Sequence, residues 1–298
     1  MPELPEVEVV RRGLEPAVTG AFVTAVDVRD ERSLRRHDRT VGEFADVLTG
    51  RRLAGAVRRG KFLWFPLGGT EALVTHLGMS GQVLLREPGV DDRHTRIALM
   101  IEHPQHGELC VNFADQRIFG SMAVDRLVPT ADGCPAGFAG GATATPSIPS
   151  QMAHIARDVL DPALDKDAVI SRIRSRRSAI KRVLLDQTLI SGIGNIYADE
   201  ALWAAGVHGE QPASRMSRVR IATLLDAVAE VLEKALAEGG TSFDAQYVNV
   251  NGESGYFSHS LNVYGRGGEP CNRCGSPIAR EKFMNRASHF CPVCQRKR

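Results

Sequence analysis

The sequence has 298 residues, of which 43% are hydrophobic and 24% charged, a composition that suits a folded protein of about two domains and excludes a disordered chain. No apolar run approaches the roughly 18 residues of a membrane span, and the amino terminus lacks the pattern of a signal peptide. We therefore expect a cytoplasmic protein with no membrane partner. The net charge is only +2, but residues 265–298 carry eight basic and two acidic residues, and residues 171–182 carry six basic residues and no acidic one. Both segments predict an anionic partner.

A helix followed by short alternating segments is predicted for residues 1–132. The helix begins at Pro5, because proline suits a first helical turn, and it places an apolar stripe on one face. Alternation of apolar and polar residues then predicts strands in a β-sandwich or barrel. The segments are 22–28, 73–85, 95–101 and 108–113.

Residues 133–150 contain four glycines, three prolines and no charge, which predicts a flexible linker. After it the apolar period changes to about 3.6, which predicts a helical domain over 151–262. The helical segments are 167–187, 195–205 and 217–238. A cysteine-containing segment, 263–298, ends the chain.

Four of the six cysteines form two C-x-x-C pairs separated by 16 residues, the spacing of a zinc ribbon: Cys271, Cys274, Cys291 and Cys294. A closed shell of four thiolates leaves no position for water, so we predict one structural zinc ion that holds residues 280–286 in a hairpin. Disulfides are the alternative, and the missing export signal disfavours them. Cys110 lies in a strand pattern and Cys134 in the linker, so neither is assigned to the metal.

A competing assignment of the metal ligands comes from His208-Gly209-Glu210, which together with Cys271 and Cys274 superficially matches the signature of zinc deaminases. That interpretation leaves the second cysteine pair unexplained and requires a long gap between the ligands. We therefore prefer the zinc ribbon.

The amino terminus is a candidate nucleophile. Met1 precedes the small residue Pro2, so we expect its removal to leave a secondary amine. An α-amine titrates near 8 and a lysine near 10.4, so at pH 7 the neutral fraction favours the terminus by roughly several hundredfold. A secondary amine that attacks a sugar carbon forms an iminium, which is an electron sink for elimination. The adjacent Glu3 is placed to move protons, although acidic residues also favour helix starts without any catalytic role.

Four motifs in order along both domains resemble bacterial formamidopyrimidine-DNA glycosylases. The motifs are Met1-Pro2-Glu3-Leu4-Pro5-Glu6-Val7-Glu8, His76-Leu77-Gly78-Met79-Ser80-Gly81, Gly192-Ile193-Gly194-Asn195-Ile196-Tyr197-Ala198-Asp199-Glu200, and Val263-Tyr264-Gly265-Arg266 before the cysteines. The resemblance implies an α+β protein with an N-terminal catalytic β-sandwich, a helix-two-turn-helix domain and a zinc ribbon. It also implies a monomer that excises oxidised purines, chiefly 8-oxoguanine and formamidopyrimidines, from damaged double-stranded DNA and cuts the strand by β,δ-elimination.

The resemblance assigns catalytic roles to four residues. Pro2 attacks C1′ of the damaged nucleotide, and Glu3 acts as general acid at the sugar ring oxygen. Lys61 contacts phosphate and donates the proton of the β-elimination. Arg286, at the tip of the ribbon, grips the flanking phosphates and serves the δ-elimination. Glu6 is a plausible second carboxylate, or an exposed helix residue.

The resemblance also implies a set of DNA contacts. Met79, Arg117 and Phe119 fill the space that an extruded nucleotide leaves, and Arg117 binds the orphaned cytosine. The phosphate contacts are His94, His76, Arg176, Lys181 and Asn195. The segment 241–256 is expected to hold a mobile loop that closes over the extruded base.

Two rival functions remain at this stage. One is an endonuclease VIII-like glycosylase that prefers oxidised pyrimidines. The other is a lesion-binding protein without chemistry, since a helix-turn-helix-like turn and a zinc ribbon also describe a DNA-binding module. Such a module does not need Pro2 and Glu3 to be free and adjacent, so the amino terminus discriminates between the functions.

Overall fold

The computed structural model describes residues 2–140, 145–241, 250 and 257–297. The chain divides into two compact units, one formed by residues 1–154 and 239–255, the other by residues 155–238 and 256–298. The sequence prediction placed 239–255 with the helical domain, whereas the structure groups this segment with the first unit. Among the described residues, no helix is long and apolar enough to cross a membrane.

The first unit is an antiparallel β-sandwich with two helices, α1 (Leu4–Val18) and α2 (Phe44–Leu48). One sheet has the order β1 (Phe22–Val28), β6 (Thr95–His103), β7 (Gly107–Asp115) and β5 (Gly81–Arg86). The other has the order β2 (Val57–Arg59), β3 (Phe62–Pro66), β4 (Glu71–His76), β8 (Ser121–Pro129) and β9 (Ser147–Pro149). Apolar side chains of both sheets and of α1 share one core, which confirms the predicted sandwich. The first helix begins at Leu4, one residue before the predicted start, and the predicted segment 73–85 is two strands, β4 and β5, that lie in different sheets.

The predicted linker is the main departure in this unit. Three residues of 133–150 form β9, which pairs with β8 and is itself an edge strand of the sheet. Phe138 forms an isolated bridge with Arg58, and a Cβ atom on Gly137 would lie 2.3 Å from the Arg58 carbonyl oxygen. The flexible-linker prediction is therefore corrected for the described part of this segment. Its few apolar side chains and its free backbone groups find partners on the sandwich, so the low apolar content does not prevent order.

The second unit is helical, as the 3.6-residue period predicted, although the predicted segment 167–187 is two helices rather than one. Its helices are α3 (Lys166–Arg174), α4 (Ile180–Leu184), α5 (Asn195–Ala204) and α6 (Arg218–Ala237). The Ser217 side chain caps α6 by accepting the Arg220 N–H, and the apolar stripe of α6 is buried. The cysteine segment adds a hairpin of β10 (Ala279–Phe283) and β11 (Arg286–Phe290).

Candidate functional site

Two buried carboxylates hold the amino terminus in place. Glu3 is the N-cap of α1 and Glu6 its third residue, and they form a reciprocal capping box in which each side chain accepts the other's backbone N–H. The Glu3 N–H donates to Glu6 Oε2 at 2.8 Å. The other Glu6 oxygen accepts from the backbone N–H and the hydroxyl of Thr241, at 2.8 and 2.9 Å. Glu6 is therefore a buried structural partner of Glu3 rather than an exposed helix residue, and the buried Pro2 precedes a fixed backbone.

Lys61 lies in the two-residue turn between β2 and β3 and is 7% exposed. Gly60 precedes it at φ +56°, a left-handed conformation that glycine adopts without steric cost in tight hairpin turns. The turn is joined to α1 by Arg58, which donates to the Gly60 carbonyl at 3.1 Å and to Glu8 Oε2 at 2.9 Å. The same Glu8 forms an ion pair with Arg11 at 3.0 Å. Residues of α1 and the Lys61 turn thus share one buried charge network.

Sequence reasoning missed this network. Glu8, Arg11 and Arg58 are each at most 3% exposed. The available signal was their position: Glu8 and Arg11 are spaced i, i+3 and lie beside Val7, Val10 and Leu14 on the helix. Charged residues at buried positions need partners, so this placement already required a buried cation or anion from another element.

Met79, Arg117 and Phe119, the residues predicted to fill the space left by an extruded nucleotide and called here the wedge residues, lie on two turns that touch. Met79 is 42% and Phe119 50% exposed, unusual values for large apolar side chains, and Arg117 is also exposed. A Cβ atom on Gly78 would lie 2.4 Å from the Phe119 carbonyl carbon, so the two turns are in backbone contact. The structure therefore brings these three sequence-predicted residues together at one end of the sandwich.

His76 and His94 lie near the same end of the unit. The His76 ring packs on Phe62 with centroids 4.7 Å apart. Burial, together with the charges of Arg36, Arg35 and Lys61, lowers the pKa of His76 to about 4. The His94 carbonyl accepts the Asp115 N–H at 3.0 Å, in the turn region that carries Arg117. His76 is thus a neutral ring among cations, whereas His94 is linked to the wedge through the backbone.

In the second unit, Asn195 and Arg286 are brought together. Asn195 is the first residue of α5, and its side-chain amide donates to the Ala287 carbonyl at 2.9 Å. The neighbouring Arg286 is exposed at the start of β11. The two-residue turn before it places Met284 at φ +53°. The turn before α5 and the tip of the hairpin therefore present their polar groups side by side.

Lys181 is not where the sequence prediction placed it. Its side chain is 0% exposed, and Nζ lies 2.6 Å from Asp199 Oδ1. The Asp199 carboxylate also accepts from the Ser288 hydroxyl at 3.1 Å and from the His289 N–H at 2.8 Å. The phosphate contact predicted for Lys181 is therefore corrected, because its ammonium group is buried in an ion pair that joins α4, α5 and β11. Arg176, by contrast, is exposed, as that prediction requires.

Glu200 is a second structural carboxylate in the same helix. It is 1% exposed and accepts the backbone N–H groups of Asn262, Val263 and Tyr264 at 2.8 to 2.9 Å. Asn262 precedes the cysteine-containing segment, and Val263 and Tyr264 begin it. Part of the Gly192–Glu200 motif thus fixes the entry to that segment.

The four predicted ligand thiols form one cluster, in which all sulfur atoms lie within 4.8 Å of one another: Cys271, Cys274, Cys291 and Cys294. Backbone N–H groups donate to two of them, from Arg273 to Cys271 Sγ and from Cys294 to Cys291 Sγ, both at 3.4 Å. The Trp203 indole N–H donates to Cys271 Sγ at 3.3 Å. Donors aimed at sulfur stabilise thiolates, and four thiolates are a ligand set that zinc takes in structural sites.

The residues of the deaminase alternative, His208 and Glu210, have other partners. His208 Nδ1 accepts the Glu210 N–H at 3.1 Å, and its ring packs on Phe290. Glu210 forms an exposed ion pair with Lys297 at 2.6 Å. Within the described residues, the metal-ligand cluster found contains the four cysteines and neither of these side chains.

Comparison with known proteins identifies the family. Three family models match, namely the formamidopyrimidine-DNA glycosylase N-terminal domain over residues 1–122, the H2TH domain over 155–246, and a zinc finger found in FPG and IleRS over 268–296. A formamidopyrimidine-DNA glycosylase of Leifsonia xyli is 64% identical over 99% of this chain and 100% of the relative. The chain belongs to the formamidopyrimidine-DNA glycosylase family.

Other members of the formamidopyrimidine-DNA glycosylase family agree in sequence and fold. The Nocardioides relative is 55% identical over 99% of this chain and 94% of its own length. A Lactococcus lactis FPG mutant, solved in complex with DNA that contains Fapy-dG, superposes with a TM-score of 0.81 at 32% identity and covers 99% of this chain and all of its own. A complex of the same enzyme with DNA containing an abasic site gives 0.80 at 30% identity, with the same coverage. The predicted resemblance, fold class and structural zinc ion are thereby confirmed.

Proposed function

We propose that this chain is a DNA glycosylase of base excision repair that removes oxidised purines from duplex DNA and then cuts the strand at the resulting abasic site. The observation that carries the proposal is the fixed amino terminus, where the backbone beside Pro2 is held by Glu3, Glu6 and Thr241. Nucleophiles act efficiently when their geometry is set before the substrate binds. The names of the relatives, and the Fapy-dG and abasic-site DNA in the solved complexes, support the same substrate class.

The chemistry follows from a secondary amine at the terminus. After loss of Met1, the Pro2 nitrogen uses its lone pair to attack C1′, and the damaged base leaves with the electrons of the glycosidic bond. The alkylated Pro2 nitrogen then releases its proton, Glu3 protonates the sugar ring oxygen, and the nitrogen lone pair opens the ring, which leaves an iminium between Pro2 and C1′. Loss of a C2′ proton then expels the 3′ phosphate, and a second elimination expels the 5′ phosphate. Water finally hydrolyses the iminium and frees the amine.

Basic side chains serve these eliminations in the proposal. Lys61 contacts phosphate near the lesion and donates the proton of the first elimination, and Arg286 grips the flanking phosphates during the second. The proposed duplex contacts are Met79, Arg117, Phe119, His76, His94, Arg176 and Asn195. The buried Lys181 is left out of this set. We expect the protein to act as a monomer in the cytoplasm.

Borohydride reduction tests the covalent step. With a duplex that contains 8-oxoguanine, we expect reduction to yield one crosslinked peptide that begins at Pro2, in protein whose intact mass shows that Met1 has been removed. Pro2→Gly and Glu3→Gln are expected to lose excision while keeping lesion affinity. Glu43→Gln is the matched control, because Glu43 also precedes a helix but is exposed and makes no side-chain cap.

Three outcomes would contradict the proposal. A crosslink at another residue, or full activity of either variant, would refute the role of the terminus. Faster release of thymine glycol than of 8-oxoguanine would favour an enzyme for oxidised pyrimidines. Lesion binding without any trapped product would favour a binding protein without chemistry.

A further inference from the structure

The two turns that carry Met79 and Phe119 are built as a pair. One turn connects β4 to β5 and the other connects β7 to β8, so each passes from one sheet of the sandwich to the other. The flanking strands pair on both sides, Gly81 with Asp115 in one sheet and His76 with Ser121 in the other. The two turns therefore run side by side with their exposed apolar tips at the same end of the sandwich.

Asp115 joins the two turns from inside. Its side chain is 0% exposed, and its carboxylate accepts three hydrogen bonds. Oδ1 accepts from the Ser80 hydroxyl at 2.5 Å and from the Arg117 N–H at 3.1 Å. Oδ2 accepts from the Gly120 N–H at 2.7 Å. Ser80 follows Met79, whereas Arg117 and Gly120 bracket Phe119, so one buried carboxylate binds the side chain next to the first tip and the backbone on both sides of the second.

Arg35 holds the second turn from outside. Its guanidinium donates to three consecutive carbonyl groups, to Ile118 at 3.0 Å, to Gly120 at 2.9 Å and to Phe119. Ile118 has φ +56°, a left-handed conformation that is unfavourable for a β-branched residue. Such a conformation persists only where the surroundings impose it, and it is typical of functional turns. Asp115 and Arg35 together supply that constraint.

We propose that Asp115 and Arg35 are positioning residues that hold Met79 and Phe119 as one preformed wedge for insertion into the base stack. This inference rests on the proposed function and deepens it. Apolar side chains inserted between bases stabilise a distorted duplex only when the gain exceeds the cost of unstacking. A wedge that is ordered before binding loses little conformational entropy on insertion, so the intact duplex is opened more readily.

Asp125 allows the proposed positioning role of Asp115 to be separated from a purely structural one. Asp125, in β8, is also buried and accepts from the Ser150 hydroxyl and the Gln151 N–H, both at 2.8 Å. The two aspartates thus make the same kinds of hydrogen bond to a serine and to backbone N–H groups. Asp125 binds no residue of the two wedge turns in these bonds, so Asp125→Asn is a matched control for a general loss of stability.

The test uses two DNA substrates with a single abasic site and a neighbouring 2-aminopurine. One is an intact duplex. In the other the nucleotide opposite the abasic site is missing, so the wedge has no opposite base to support or displace. Asp115→Asn keeps one acceptor oxygen but turns an N–H group toward the Gly120 N–H. We expect it to slow both the fluorescence rise and borohydride trapping at least tenfold on the intact duplex, and less than about twofold on the gapped one, since a lost charged hydrogen bond weakens a state by about tenfold or more.

A second variant keeps the test interpretable if Asp115→Asn does not fold. Arg35 is exposed, so Arg35→Lys keeps the charge and is expected to leave the fold intact, but a lysine lacks the planar fork that spans adjacent carbonyls. We expect the same preference for the gapped substrate, with about a threefold to fivefold loss on the intact duplex.

Equal losses on both substrates, no loss in either variant, or the same pattern in Asp125→Asn would overturn the inference. Absence of trapping by the unmodified protein on either substrate would instead overturn the proposed function, so the two failures are distinguishable.

Discussion

The wedge of the first unit and the cysteine hairpin of the second are both small exposed tips, but they are held in different ways. The wedge depends on Asp115 and Arg35, which bind the backbone of the Phe119 turn, and Asp115 also binds the Ser80 side chain of the Met79 turn, far away in the sequence. The hairpin depends on four thiols contributed by two short local motifs. The first arrangement needs the whole sandwich and no metal, whereas the second needs a metal and little surrounding chain.

This difference indicates which kind of change would disorder each tip. A buried carboxylate that accepts N–H groups is stable as long as the strands around it are paired. Four thiolates repel one another unless a cation lies between them, so the hairpin is stable only while zinc is bound. Changes in metal, buried charge and pH are therefore expected to act on different parts of the molecule.

The largest expected effect follows removal of zinc with a chelator. Structural zinc contributes on the order of 10 kcal/mol or more to the folding of small zinc domains. We expect amide hydrogen exchange in β10 and β11 to accelerate by at least about a hundredfold, because the hairpin loses its anchor, while exchange in β6 and β7 stays unchanged.

Cysteine variants sharpen this experiment. Cys274→Ser is expected to reproduce the effect of the chelator, and Cys134→Ser, outside the cluster, is expected to have no effect on the hairpin. If the hairpin stayed protected after both chelation and Cys274→Ser, the contrast between a metal-held and a carboxylate-held tip would be wrong.

The next largest effect is expected from the buried ion pair of the second unit. Lys181→Met leaves Asp199 without its cation, and loss of one partner of a buried pair costs about 3–5 kcal/mol. Arg182→Met is the control, because this neighbour is exposed and its loss is expected to change stability by about 0.5 kcal/mol or less. Urea unfolding of each variant measures the difference.

Salt dependence of DNA binding separates burial from phosphate contact. We expect Lys181→Met to leave the slope of log affinity against log salt unchanged, and Arg176→Met to reduce its magnitude by about one. A stable Lys181→Met protein with a reduced slope would restore the original prediction that Lys181 touches phosphate.

The sequence predicted features that depend on local pattern. The first helix, predicted to within one residue of its start, the apolar period of α6 and the spacing of Cys271, Cys274, Cys291 and Cys294 each involve residues close together in the chain. Four separate motifs also sufficed to predict the family. In each case the physical requirement, a cap, an apolar stripe or a ligand spacing, can be recognised within a short stretch of sequence.

Features that depend on distant partners were not predictable in this way. Lys181 is one of six basic residues in a run, and only its position between buried apolar residues of α4 sets it apart. Its partner Asp199 also binds His289, ninety residues further along the chain. Composition indicated a flexible linker at 133–150, whereas strand β9 exists because β8 offers it a free edge. The expected closing loop at 241–256 lies outside the described residues except for Thr241 and Val250.

The smallest expected effect is a loss of stability at acid pH, and it arises from His76 in the first unit. The folded pKa of His76, about 4, lies below the usual value of 6.5, so the folded protein binds this proton less readily than the unfolded chain. The contribution of His76 to the free energy of unfolding is therefore fully present above pH 6.5, and about 2–3 kcal/mol of it is lost as the pH falls toward 4. We expect His76→Gln to flatten the difference in urea midpoint between pH 7 and pH 4.5 relative to the unmodified protein.

His154→Gln, at an exposed position of the same unit, is the control and is expected to leave the pH dependence unchanged. The cause of the effect also bears on function, because the groups that oppose protonation of His76 include Arg36, Arg35 and Lys61. An anion bound among these cations would make protonation easier. Addition of a short abasic-site duplex that cannot be cleaved is therefore expected to raise the His76 pKa, measured by the chemical shift of its ring protons. An unchanged pKa would mean that the cations around His76 do not share a phosphate.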